Sequence, residues 1–86
     1  MNTYSLYIGS NNATGKVEHG ELMQVLDATV DGYTIHPAIG RWKGTNEDSV
    51  VVLINTDALE SLINKLKQVL KQDAIAYKLE SEMRFL

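Results

Sequence analysis

Ser49-Val50-Val51-Val52-Leu53-Ile54-Asn55 is the stretch on which the fold turns. Its five central residues are apolar, four are β-branched, and none is proline. Such a run predicts a strand covered on both faces, and therefore a central strand. Downstream, Asp57 and Glu60 have the spacing of a capping box. Leu59, Leu62, Ile63, Leu66 and Leu70 then recur with helical period, while Lys65, Lys67, Gln68 and Lys71 take most other positions. The lysines near the end of this helix suit its macrodipole. A last strand is expected at about 74–79, followed by a tail carrying Met83, Phe85 and Leu86.

Upstream, Tyr33-Thr34-Ile35 begins a second extended segment. It is interrupted at His36-Pro37 and resumes through Ala38-Ile39 towards Trp42. Proline cannot donate to a ladder, which places this strand at an edge or a bulge. Leu22, Val25, Leu26 and Thr29 form one stripe of a helix over about 18–28, ended by Asp31-Gly32. Before it, 9–15 is a turn-rich loop, and Tyr4, Leu6 and Ile8 alternate with Ser5 and Tyr7 as a strand with one buried face.

The order is β-α-β-β-α-β, the split unit of ferredoxin-like α+β folds. Right-handed crossovers put the first and third strands in the middle of an antiparallel sheet, with both helices on one face. Residues 1–86 make one domain, with a core over about 3–80 and a tail at 81–86. The uncovered face carries Tyr7 and alternate residues of the 50–54 run. An apolar open face on a small domain predicts a homo-oligomer whose sheets pack together.

Composition narrows the function. The chain has 86 residues, no cysteine, two histidines and a net charge of −3. Disulfides, thiolate metal sites and a cysteine nucleophile are excluded, and no metal is expected. The cations Lys16, Arg41, Lys43, Lys65, Lys67, Lys71, Lys78 and Arg84 are scattered among acids, so no nucleic-acid partner is expected. No apolar run approaches membrane-span length, and the first residues lack the pattern of a secretory signal, which predicts a cytoplasmic protein.

Gly40-Arg41-Trp42-Lys43-Gly44-Thr45-Asn46-Glu47-Asp48-Ser49 is the stretch richest in chemistry. It reads as a long loop between two strands. A tryptophan and a carboxylate this close would suit a cationic organic ligand through ring-face attraction and charge pairing. Solvated loop charges are the plainer explanation of the same residues. His19 and His36 have no orienting partner nearby in sequence, no serine elbow motif is present, and 9–15 lacks the ending of a phosphate loop.

The register Gly-x-Trp-x-Gly-x-x-Glu-x-Ser (Gly40, Trp42, Gly44, Glu47, Ser49) precedes an apolar strand, a helix and Gln-Asp-x-Ile (Gln72, Asp73, Ile75). Over roughly residues 33–80 this resembles small phage-encoded ferredoxin-like proteins, and among them the S-adenosylmethionine lyases, formerly called hydrolases. These share the core of the PII signalling proteins. Trp42 stands where the family would have tyrosine.

The resemblance implies a trimer, in the host cytoplasm if phage-encoded. S-adenosylmethionine would be cleaved to methylthioadenosine and homoserine lactone in a cleft between subunits, with no metal and no cofactor. It implies Glu47 as the functional carboxylate and Tyr33, Trp42 and Ser49 as pocket residues, with Gly40 and Gly44 permitting close backbone approach. Two other readings stand beside it. One is a non-catalytic PII- or ACT-like module that binds or sequesters a nucleotide or other metabolite. The other is a phage protein that binds a host factor.

Overall fold

The computed structural model describes residues 2–11 and 13–82. Strands β1 (Asn2–Gly9), β2 (Tyr33–Trp42), β3 (Thr45–Thr56) and β4 (Ala76–Glu82) form one antiparallel sheet in the order β2-β3-β1-β4. Helices α1 (His19–Thr29) and α2 (Leu59–Leu70) pack on one face. This is the ferredoxin-like α+β arrangement, with β1 and β3 central as the apolar run required.

The core lies between sheet and helices. Leu6 and Ile8 of β1 and Val50, Val52 and Ile54 of β3 meet Leu22, Val25 and Leu26 of α1 and Leu62, Leu66 and Leu70 of α2. Thr29, counted on the same α1 stripe, is exposed, and its hydroxyl donates back to the Val25 carbonyl at 2.8 Å.

Several sequence expectations are corrected. The apolar run is covered on one face only, because Val51 and Leu53 are half-buried on the face without helices. The period-2 burial of β3 was hidden by residues apolar at every position. β2 is continuous through His36-Pro37, with Pro37 opposite Val50, because an edge strand can leave the missing N–H on its unpaired side. The N-cap of α2 is Ala58, one residue after the expected Asp57, and it has no side-chain cap of its own; the Thr56 hydroxyl accepts the Ala58 N–H at 3.1 Å. β4 starts at Ala76 and includes Ser81 and Glu82, assigned in sequence to the tail; residues 83–86 lie outside the described residues.

β3 is twelve residues long and the molecule measures 40 × 23 × 18 Å. At ~3.3 Å per residue, one strand accounts for nearly all of the long axis. Thr45 to Asp48 are exposed, so the far end of the β2–β3 hairpin projects as a two-stranded ribbon beyond the helix layer.

Candidate functional site

The expected long loop at 40–49 is a tight hairpin. Only Lys43 and Gly44 connect β2 to β3, at φ of 50° and 78°. Two consecutive positive φ values define the type I′ turn, whose twist matches that of the flanking strands. The signal was present in sequence, since Gly44 supplies the left-handed position, but Lys in the other is uncommon.

The turn fixes the register. Trp42 stands opposite Thr45, Gly40 opposite Glu47 and Ala38 opposite Ser49. Directly opposed residues share a face and side chains alternate along a strand. Gly40, Trp42, Glu47 and Ser49 are therefore all on the open face, as are Val51 and Leu53 further along. A motif with two-residue spacing on both arms is thus a row on one surface.

Gly40 makes a notch in that row. A Cβ placed there would lie 3.8 Å from the Glu47 carbonyl oxygen and from Ser49 Cβ, and 3.9 Å from Glu47 Cβ. The missing side chain leaves a floor of backbone bordered by Glu47 and Ser49. The Ser49 hydroxyl donates to the Ile8 carbonyl at 3.1 Å, which leaves its oxygen lone pairs as acceptors. Trp42 is 66% exposed, with the Lys43 ammonium 5.7 Å from its ring centroid. Arg41 donates to Asn46 across the ribbon at 2.6 Å. Asp48 faces the helix side and accepts the Val17 N–H at 3.1 Å, anchoring the segment before α1 to the base of the ribbon.

Tyr33 is not part of this group. It opens β2 opposite Ile54, at the other end of the hairpin from Trp42. Trp42 lies nine residues along the strand from Tyr33, about 30 Å. Its hydroxyl donates to the Asp27 carboxylate of α1 at 2.6 Å, and that bond raises the phenol above its ordinary value of 10.0 by favouring the protonated form. Within one chain, then, Gly40, Trp42, Glu47 and Ser49 share a surface, Gly44 shapes the turn below them, and Tyr33 stands apart. His19 and His36 are both exposed.

A cleft at the Tyr33 end escaped the sequence reading. It has a volume of about 620 Å³ and lies where β1 and β3 pass the start of β2. Thr3, Leu53 and Asn55 contribute from the sheet, Thr29 to Thr34 from the end of α1 and the start of β2, and Thr56 and Asp57 from the turn before α2. Nothing in the local pattern marked Thr3 or Asn55, which read as ordinary strand ends. Among the described residues no group of three or more His, Asp or Glu side chains could hold a metal ion, and no helix is long and apolar enough to cross a membrane.

No family model matches the chain, and no curated protein matches it either. Among solved structures it is similar to a DUF3240 family protein from Shewanella baltica OS155, with a TM-score of 0.64 and 11% sequence identity over 99% of this chain and 94% of that one. A likeness at that identity establishes the ferredoxin-like fold and nothing about chemistry.

Proposed function

We propose that the chain is a homo-oligomeric, S-adenosylmethionine lyase-like protein that holds its ligand on the open face of the hairpin, in a cleft closed by a second copy. The observation that carries this reading is the notch at Gly40, bordered by Glu47 and Ser49 and in line with Trp42. A notch of backbone beside a carboxylate and an exposed indole suits a flat, cationic organic molecule. The Trp42 ring attracts a cation through its face, and Glu47 pairs with an ammonium or sulfonium. Val51 and Leu53, half-buried beside them, give a second copy an apolar surface to cover.

The reaction asks little of the protein. The substrate's carboxylate oxygen bonds to the carbon beside the sulfonium, the carbon–sulfur bond breaks, and its electron pair stays on sulfur. The products are neutral methylthioadenosine and homoserine lactone. Holding carboxylate and carbon in line supplies the rate. Excluding water helps, because the positive charge is lost as the bond breaks.

Incubation with S-adenosylmethionine, followed for methylthioadenosine, tests the proposal. Glu47→Gln is expected to lower affinity or turnover by ~1.5–3 kcal/mol, the worth of a charged hydrogen bond. No product from an intact oligomer refutes catalysis. Binding without turnover is favoured by one feature: Tyr33, with its hydroxyl given to Asp27, stands far from Glu47. Under that reading the ligand raises the melting temperature and no product forms. Capture of one stoichiometric host protein, with no response to small molecules, would refute both.

A further inference from the structure

The cleft at the opposite end of the sheet has a local cause. β2 begins at Tyr33 opposite Ile54, so continuing the register by one residue puts Gly32, without a side chain, opposite Asn55. The open face loses its edge strand β2 there, and Thr3 and Asn55, which stand opposite each other on β1 and β3, line the gap. Thr3 is only 8% exposed, and its hydroxyl oxygen has no hydrogen-bond partner among the described residues. The Asn55 side-chain oxygen is equally buried and equally unpartnered. Two adjacent orphan oxygens in one cleft are an exception to the rule that buried polar atoms are satisfied.

The electrostatics of the lining run one way. Among the described residues no Lys, Arg or His contributes to it, whereas Asp31 and Asp57 do. Thr29 and Val30 bring the carbonyl end of α1, the negative pole of its dipole, and the last turn of that helix has no basic residue to offset it. Asp27 lies in the same turn, engaged by Tyr33. Leu53 and Val30 supply an apolar wall. Phosphates and carboxylates are repelled from such a place, while a hydrogen-bond donor carrying positive charge is drawn to it.

We infer that this cleft binds a small organic ammonium ion, with its N–H groups directed to the Asn55 side-chain oxygen and the Thr3 hydroxyl and its charge against Asp31 and the end of α1. The polar groups of this site are distinct from Glu47, which lies eight residues along β3, about 27 Å away, and Leu53 borders both the cleft and the face assigned to a second copy.

The probe is diaminobutane, titrated by calorimetry and amide NMR at matched ionic strength beside butanediol, its uncharged isostere, and inorganic phosphate. The expected result is saturable diamine binding with shifts at Thr3, Gly32 and Asn55, butanediol weaker by about tenfold or more, and no response to phosphate. Thr3→Val and Asn55→Leu are each expected to weaken the diamine by about tenfold or more, with melting temperature maintained, whereas Glu47→Gln binds it as the wild type does. Should Asn55→Leu fail to fold, Thr3→Val and Asp31→Asn carry the test. Equal binding of diol and diamine, shifts confined to the Glu47 surface, or wild-type affinity in the cleft variants overturns the inference.

Discussion

Gly40→Ala separates folding from ligand binding at the hairpin notch. The added Cβ meets its nearest atoms at 3.8, 3.8 and 3.9 Å, which is ordinary van der Waals contact, and the backbone there is not in the positive-φ region. The native conformation therefore accepts alanine without strain. Replacing glycine at such a position stabilises a protein by about 0.4–1 kcal/mol, chiefly by restricting the unfolded chain. For a domain of this size that raises the melting temperature by roughly 2–8 °C.

The same methyl fills the floor of the notch. A ligand seated there must shift or lose contact, at a cost of about 1–3 kcal/mol, or roughly 5- to 150-fold in affinity. Thermal unfolding by far-ultraviolet circular dichroism measures the first effect, and calorimetry with S-adenosylmethionine the second. A variant that is more stable and binds more weakly has both parts right. A variant that binds as tightly as the wild type shows that nothing sits in the notch, and one that melts earlier shows that the approach of Gly40 to Glu47 is closer than described.

Three further outcomes follow from the geometry. Tyr33 has its folded-state pKa raised by the Asp27 bond, so the folded chain retains this proton where the unfolded chain loses it; stability is complete below pH 10 and falls as pH rises beyond it. Tyr33→Phe should remove that alkaline slope, as read by unfolding at a series of pH values, and an unchanged slope would refute the assignment. Lys71 caps α2 in the left-handed conformation at φ 55°, so Lys71→Gly should raise stability by ~1 kcal/mol in urea unfolding. Val51→Lys puts a charge in the row between Tyr7 and His36 on the open face, and sedimentation should show smaller assemblies; an unaltered assembly refutes packing through that face.

The parts of the fold legible in sequence were those with one dominant signal. The β-branched 50–54 run marked the central strand, and the leucine stripe of α2 gave its observed span, because each element had to bury one face. The ribbon is not legible locally, because its glycines and charges favour a loop, whereas pairing across a two-residue turn overrides their weak strand preference. The grouping of Gly40, Trp42, Glu47 and Ser49 was implicit in alternate spacing, but it required the turn length. Thr3 and Asn55 were invisible. Their burial comes from where β2 happens to begin, a tertiary fact with no local counterpart.

The lone indole of this protein sits on the ribbon, outside the helix-covered layer, and it governs how the molecule should be watched. Its emission will answer to whatever settles on the hairpin tip, or to the tip fraying by itself, before the leucine-rich interior gives way. A fluorescence melt would thus time a peripheral event, whereas amide exchange at Val52 and Leu66 would time the collapse of the interior. Disagreement between the two clocks would be a direct measure of how loosely the tip is coupled to the body.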